Sequence, residues 1–395
     1  MADTSPDLEI NGLPHGYAAE KTVALSPGIR DLIGRIGEAV GPVILETDEE
    51  ETAPSAKIDE LRKDLQEIEE LRGELMGLRG RIASNGYTLC YRRRLFFRKT
   101  CAKTIATYHS RMIEIIDLSY LRVGAADLEE AVLFATETIG LQEVRREDDR
   151  IYVRGDERDH DICYVKGGVE EHVVGFEVAN DQALQAAYAE LDAAGAFVER
   201  GTDAEKTDRR VVDFFKFLDP SGNRFEIVLR PFKSTRRYFP TRDAGIAEFS
   251  HVGLKTTDAP RDEKFWTTNF NIRPNDWIGD AGLLSFDAVH HRIALFPADT
   301  HGIQHINFQV DSIDDLMRSY YHLSEKQVHI VFGPGRHASS GAMFLYFEGP
   351  DGMVYEYSHG VRIIDDPNYR PRQFPFTTEA FCVWGAKPDI PEFRD

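Results

Sequence analysis

The sequence predicts an α+β protein built from two tandem copies of one module, preceded by a helical extension. The first observation is a repeat, because residues 171–178 resemble 304–310 and residues 219–226 resemble 349–356. The second is that each copy alternates short, strand-like apolar runs with two helical patterns. The third is a heptad-like apolar stripe over residues 58–82, which is typical of a long helix.

The repeat divides the chain into four predicted parts. Residues 1–115 form an N-terminal extension, partly loop, that contains a helical hairpin. Residues 116–235 form the first module, and residues 245–360 form the second. Residues 361–395 are a tail rich in proline and aromatic residues, and we expect this tail to pack near the functional site of the second module.

The amino-acid composition of the chain limits the kinds of partner that it can bind. The chain has 395 residues and a net charge of −20, which argues against nucleic acid or an anionic membrane as a partner. Apolar runs are too short for a transmembrane helix, and the acidic first residues lack the pattern of a signal peptide. The four cysteines are scattered, as expected of reduced thiols. We therefore expect a cytoplasmic protein with a small-molecule substrate, and the helical extension favours a homo-oligomer.

Three residues of the second module form a candidate metal site. His251, His305 and Glu356 each lie in a short apolar run, at intervals of 54 and 51 residues (305 − 251 and 356 − 305). Two neutral imidazoles and one carboxylate make the facial triad that binds non-haem Fe(II) and leaves positions open for other ligands.

The first module keeps only part of this pattern. His172 and Glu226 stand at repeat positions, but Tyr120 takes the place of His251. We interpret His172 and Glu226 as relics of the duplication, and we expect the first module to be metal-free.

Residues 116–360 resemble the type I extradiol ring-cleaving dioxygenases of the vicinal oxygen chelate superfamily. The fold of that family is a tandem pair of βαβββ-repeat modules that curl into barrel-like sheets, with iron in the C-terminal one. His291 matches the family's acid/base histidine, His337 lies in a Gly-Arg-His element, and Tyr346 matches a substrate-binding tyrosine. The chain departs from the pattern at Gly349, where a polar residue or alanine is usual.

The resemblance implies an oxidoreductase that opens a catechol-type ring beside its two hydroxyls and incorporates both atoms of O2, in the degradation of aromatic compounds. Its implied cofactor is Fe(II), with Mn(II) as the alternative. His291 would act as the acid/base, and Tyr346 and His337 would hold the ionised oxygen of the substrate.

The substrate pocket is predicted to be apolar. Members of the family that recognise a carboxylated catechol often carry an arginine at the position of Phe332. Together with Trp266 and Trp277, this phenylalanine favours an apolar or aryl substituent. Arg292 is a candidate substrate contact that would supply a cation.

The sequence leaves three other hypotheses about the function open. A hydroxyphenylpyruvate-dioxygenase-like enzyme would use the same fold and triad, and a non-catalytic ligand-binding protein would use the fold without iron. An interaction protein led by the helical hairpin would lose its function on deletion of residues 1–110, whereas a change at Glu356 would leave that function intact.

Overall fold

A computed structural model of the protein describes residues 112–366 and 368–394. The helical hairpin predicted within the N-terminal extension lies outside these residues. The described residues form two mixed sheets of eight and nine strands with short helices packed against them, which confirms the predicted α+β class. Among them, no helix combines the length and the apolar character needed to cross a membrane.

The first module contains an eight-stranded sheet. Strands β1 to β8 are Ile115–Ala125, Gln142–Glu147, Arg150–Arg154, Ile162–Lys166, Val173–Val178, Val198–Arg200, Asp213–Leu218 and Arg224–Leu229. Helix α1 is Leu128–Phe134, continued by a π-helical turn at Ala135–Ile139, and α2 and α3 are Asp181–Ala193 and Asp203–Arg209. The strand order is β2-β3-β4-β1-β5-β8-β7-β6, and the pairs β1–β4 and β5–β8 are parallel.

The second module repeats this topology. Strands β9 to β16 are Ile246–Thr256, Arg273–Ile278, Ala281–Ser285, Ile293–Pro297, Gly302–Val310, Ile330–Arg336, Met343–Glu348 and Val354–His359. Helices α4 and α5 are Ala259–Asn269 and Ile313–Glu325. The tail adds β17, Arg372–Phe374, in parallel with β10, and a short helix α6, Thr378–Phe381. The sheet order is β14-β15-β16-β13-β9-β12-β11-β10-β17.

The helices begin where short polar side chains can bind free backbone N–H groups. Asn180 accepts from the backbone of Ala183 at the start of α2, and Ser312 accepts from Asp315 at the start of α5. Thr202 begins α3 with a reciprocal capping box. These caps fix where each helix starts.

One hydrophobic core runs through both modules. Trp266 of α4 is fully buried, and its ring lies 4.8 Å from that of Phe225 and 5.8 Å from that of Phe176, centre to centre. Phe134 of α1 packs on Tyr355 of the second sheet at 5.9 Å. A Cβ at Gly349 would lie 2.9 Å from the Phe134 ring, which explains why the chain carries glycine there.

Candidate metal centre

Three adjacent strands of the second sheet carry the predicted ligands. His251 of β9 lies opposite Asn307 of β13, and Asn307 lies beside Glu356 of β16. His305 is two residues from Asn307 on the same strand. Because successive side chains of a strand alternate between its faces, all three candidate ligands lie on one face of the sheet.

The side-chain atoms of these residues converge. Nε2 of His251 is 3.0 Å from Nε2 of His305, and Oε2 of Glu356 is 3.1 Å and 3.5 Å from the same two nitrogens. All three residues are almost fully buried, with exposed fractions of 4%, 1% and 1%. Among the described residues they form a group whose potential ligand atoms all lie within 4.8 Å of one another.

This arrangement fits a divalent cation. Oε2 of Glu356 is buried and accepts no hydrogen bond from the residues that the structure describes, although Nε2 of His251 is 3.1 Å away. A buried carboxylate oxygen without a donor is costly, and two neutral imidazole nitrogens at hydrogen-bond distance can share only one proton. A cation at the centre would be bound by lone pairs from all three groups, a donor set that suits Fe(II) and its first-row neighbours.

The protonation states also suit a cation. Burial lowers the pKa of His305 to about 3, although Glu356 opposes this effect, so that the imidazole is neutral near pH 7. Burial would raise the pKa of Glu356, but His251 outweighs it and holds that pKa well below its usual range. Nδ1 of His305 lies against Oε1 of Gln304, and a hydrogen bond to that oxygen leaves Nε2 with its lone pair.

His291 lies directly beside the triad. Its ring centre is 4.2 Å from that of His251, and burial, aided by His251, lowers its pKa well below the usual range. His290 and His291 lie in the loop before β12, although the apolar run that follows them in the sequence predicts a strand that includes both. They nevertheless have different neighbours, because His290 hydrogen-bonds Asp276 through Nε2 at 2.8 Å.

His337 and Tyr346 form a pair on another side of the triad. Nε2 of His337 is 3.2 Å from the Tyr346 hydroxyl and 3.6 Å from Oε1 of Glu356. Its Nδ1 is 2.8 Å from the backbone oxygen of Phe381 in the tail. Since only Nδ1–H can donate to that oxygen, a neutral His337 presents an accepting Nε2 to Tyr346. Burial, with Glu356 nearby, raises the pKa of Tyr346 well above its ordinary value.

The three predicted substrate contacts, Phe332, Arg292 and Trp277, do not share the same surroundings in the structure. The Phe332 ring is buried and lies 5.7 Å from that of Tyr346. Arg292 is held by Asp287 at 2.9 Å and by the Ser250 backbone oxygen at 2.9 Å. Trp277 donates from Nε1 to Glu263 of α4 at 2.6 Å, which places its indole on the helix-covered face of the sheet. The structure therefore brings Phe332 to the Tyr346 side of the site, and it pairs Arg292 and Trp277 with other residues.

The tail places aromatic rings beside Tyr346, and among them Phe393 is one that the sequence did not single out. The Phe393 ring lies 4.7 Å from Phe296, 5.9 Å from Tyr346 and 6.1 Å from Phe332, centre to centre. Phe381 stacks on it at 4.9 Å. The aromatic content of the tail was the available signal, but the sequence could not show which rings reach the site.

The first module has a different centre at the equivalent place. Tyr120 lies opposite Gly175, which lies beside Glu226, so Tyr120 and Glu226 match His251 and Glu356. The register puts Val173, not His172, at the position of His305, so the interpretation of His172 as a relic ligand is wrong. Arg209 binds both oxygens of Glu226 at 2.7 to 2.8 Å, and the Tyr120 hydroxyl donates to it at 2.5 Å. A guanidinium therefore supplies the positive charge that the carboxylate needs.

Comparisons with known proteins agree with this architecture. A profile of the family described as Glyoxalase/Bleomycin resistance protein/Dioxygenase superfamily matches residues 117–227 and 248–357, together more than half of the chain. A 1,2-dihydroxynaphthalene dioxygenase of Sphingobium xenophagum is 27% identical over 270 residues, covering 64% of this chain and 90% of the relative. An iron-dependent extradiol dioxygenase of Rhodococcus jostii is 28% identical over 301 residues, covering 69% and 97%.

Solved structures show the same fold. The complex of homoprotocatechuate 2,3-dioxygenase from Brevibacterium fuscum with 3,4-dihydroxyphenylacetate superposes with a TM-score of 0.66 at 22% identity, covering 72% of this chain and 93% of that one. The profile matches each of the two sheets separately, as the internal repeat predicts. The chain therefore belongs to the Glyoxalase/Bleomycin resistance protein/Dioxygenase superfamily, and the resemblance found in its motifs is confirmed.

Proposed function

We propose that the protein is an extradiol dioxygenase that opens a catechol-type ring with O2 at a mononuclear Fe(II) centre held by His251, His305 and Glu356. The observation that carries this proposal is the convergence of the three donor atoms in a buried site, with one carboxylate oxygen left without a hydrogen bond from the described residues. The extradiol dioxygenases among the relatives favour the same reaction.

Bound Fe(II) would supply the Lewis-acid and redox chemistry through which a catechol and O2 react. His291, beside His251, would take and return a proton at the substrate oxygens. Tyr346 and His337 would position the substrate through the Tyr346 hydroxyl and Nε2 of His337. The aromatic side chains around Tyr346 would exclude water from the ring that is opened.

The surroundings of Tyr346 favour an apolar or aryl-substituted catechol. The nearby rings of Phe332, Phe296 and Phe393 are buried and carry no charge. Arg292, the predicted cation, is already neutralised by Asp287 and is a poor partner for a substrate carboxylate. We therefore expect 2,3-dihydroxybiphenyl to be a better substrate than catechol itself or 3,4-dihydroxyphenylacetate.

The test is anaerobic loading of the purified protein with Fe(II), followed by addition of each catechol in aerated buffer. We expect a yellow ring-opened product with one O2 consumed for each ring, and His251→Ala or Glu356→Ala should abolish both. His301→Ala is a matched control, because this histidine lies in the loop before β13 and outside the triad. Bound iron without O2 uptake would contradict the reaction, and failure to bind iron would contradict the triad.

We also propose Fe(II) rather than Mn(II), a cytoplasmic location and a homo-oligomer. Imidazole and carboxylate donors accept both metals, so metal analysis of the protein as isolated from cells decides the first point. The cysteines within the described residues, Cys163 and Cys382, are free and buried, which suits a reducing compartment. Light scattering of the full chain tests the third point, and a monomer would contradict it.

A further inference from the structure

A chain of three buried polar side chains ends at the predicted acid/base histidine. Nδ1 of His291 is 3.1 Å from Nδ1 of His290, and Nε2 of His290 is 2.8 Å from Oδ2 of Asp276. Asp276 and His290 are fully buried, and His291 is 7% exposed. The cleavage proposed above gives no role to Asp276 or His290.

The surroundings of Asp276 keep its carboxylate ionised. Oδ1 accepts from the backbone N of Arg372 at 2.8 Å and from the Tyr369 hydroxyl at 3.1 Å, and Oδ2 accepts from Nη2 of Arg372 at 2.5 Å. Burial would raise the pKa of Asp276, but the hydrogen bonds from His290 and Arg372 outweigh it and keep that pKa below its usual range. An ionised carboxylate only accepts hydrogen bonds, so Nε2 of His290 must carry a hydrogen.

This hydrogen fixes the tautomers along the chain. Burial lowers the pKa of His290, so its ring is neutral and carries one N–H. With that N–H on Nε2, Nδ1 of His290 can only accept, and Nδ1 of His291 must be the donor across the 3.1 Å contact. A neutral His291 that donates through Nδ1 keeps a lone pair on Nε2.

We propose that Asp276 and His290 are positioning residues that hold His291 in the tautomer with its hydrogen on Nδ1, so that Nε2 starts the reaction as a proton acceptor. The inference rests on the proposed ring cleavage. In that reaction the O–H bond of one catechol hydroxyl breaks, its electron pair stays on oxygen, and the proton forms an N–H bond at Nε2 of His291. The proton is then in place to return to an oxygen of the opening ring.

The substitution Asp276→Asn tests this assignment, because the neighbours of Asp276 dictate how the amide would lie. The amide oxygen would keep the Oδ1 place, where the backbone N and Nε of Arg372 and the Tyr369 hydroxyl all donate. The NH2 group would take the Oδ2 place, where it would displace Nη2 of Arg372 and face Nε2 of His290. His290 would then accept at Nε2 and carry its hydrogen on Nδ1. As a result His291 would accept at Nδ1 and present an N–H, instead of a lone pair, from Nε2.

Two measurements follow. The first is a 15N spectrum of protein with labelled histidine and diamagnetic Zn(II), in which the His291 signals are assigned by their loss in His291→Gln. In Asp276→Asn these signals should change from the pattern of a ring with its hydrogen on Nδ1 to that of a ring with its hydrogen on Nε2. In the iron-loaded enzyme, kcat should fall by about 10²- to 10⁴-fold, the usual contribution of a correctly protonated acid/base. Anaerobic affinity for 2,3-dihydroxybiphenyl should change by less than about threefold, because substrate binding does not require the tautomer.

Tyr369→Phe is the matched control, because it removes a donor to Oδ1 and leaves the acceptor that faces His290; its tautomer pattern and kcat should match the unaltered protein. If Asp276→Asn fails to fold, His290→Phe keeps a ring of similar size, removes the acceptor, and should give the same loss of kcat. An unchanged tautomer, or a kcat unchanged in these variants, would overturn the inference. If the unaltered enzyme cleaves no catechol, the proposed function fails, while the 15N spectra still test the tautomer.

Discussion

Glu356 and Glu226 are equivalent residues whose charges are balanced in different ways. Glu226 has the Arg209 guanidinium and the Tyr120 hydroxyl, whereas Glu356 has two imidazoles and an oxygen without a donor among the described residues. The two carboxylates therefore permit a comparison in which the same chemical change is made at both positions.

We predict that Glu356→Gln lowers affinity for the metal by more than about 100-fold, beyond the effect of losing a group that merely supports a ligand. Glu226→Gln should instead leave one metal ion per folded molecule and lower the free energy of unfolding by about 3–5 kcal/mol, because Arg209 loses its buried partner. Metal analysis and urea unfolding measure the two effects. Loss of metal in Glu226→Gln would contradict the assignment of the site to the second module.

His172 gives a prediction about pH. Its buried imidazole has no hydrogen bond at Nδ1 within the described part of the chain, and burial lowers its pKa from 6.5 to about 4. Between these values the unfolded chain binds the proton more readily, so stability falls as pH falls. The contribution of His172 between pH 7 and pH 5 should be a loss of about 2 kcal/mol. In metal-free protein, His172→Gln should show a pH dependence weaker by this amount in urea unfolding, and an equal dependence would contradict the assignment.

At the scale of elements, the sequence was informative where a strand carries its own chemistry. The ligand strands were predictable because His251, His305 and Glu356 each lie in an apolar run, and because these runs have counterparts at matching intervals in the first module. The loop that contains His290 was not predictable, because two histidines followed by an apolar run look like one continuous strand in the sequence. Asp276 was also missed, because its contact with His290 depends on the pairing of β10 with β11 and of β10 with the tail. The short strand β6 and helix α3 were missed as well, because their polar sequences lack a clear period.

The tail provides an element whose contribution can be tested. Phe393 packs among Phe296, Phe332 and Tyr346, whereas Trp384 in the same tail is 53% exposed. Phe393→Ala should raise KM for an aryl-substituted catechol by about tenfold, equivalent to roughly 1.4 kcal/mol, with a smaller effect on kcat. Trp384→Ala is the control and should leave both values unchanged. An unchanged KM in Phe393→Ala would show that the tail does not form a wall of the pocket.

At the scale of the whole molecule, the shared core should make the two modules unfold together. Trp266 belongs to the second module, yet it packs on Phe176 and Phe225 of the first. We expect a single unfolding transition, and metal binding should increase amide protection in β5 of the first module as well as in β13 of the second. Hydrogen exchange with and without metal measures this, and separate transitions for the two modules would contradict it.

Trp266→Ala should lower the free energy of unfolding by about 3–5 kcal/mol, because the removed ring leaves a cavity between the modules. Trp277→Ala is the control, since its partly exposed indole lies outside that core and should cost less. The measurement is urea unfolding of both variants. Equal losses would show that the contact between modules adds little to stability.

The Arg209–Glu226 pair has a consequence for how the protein depends on metal supply. A chelator would remove a metal ion from the second module. It cannot remove the Arg209 guanidinium from the first module, because that group is covalently part of the chain. In cells short of iron, the buried carboxylate of the first module would therefore keep its positive partner, while the carboxylate of the second module would lose the cation. Duplication has thus left one buried carboxylate whose charge balance would depend on the supply of metal and one whose charge balance does not.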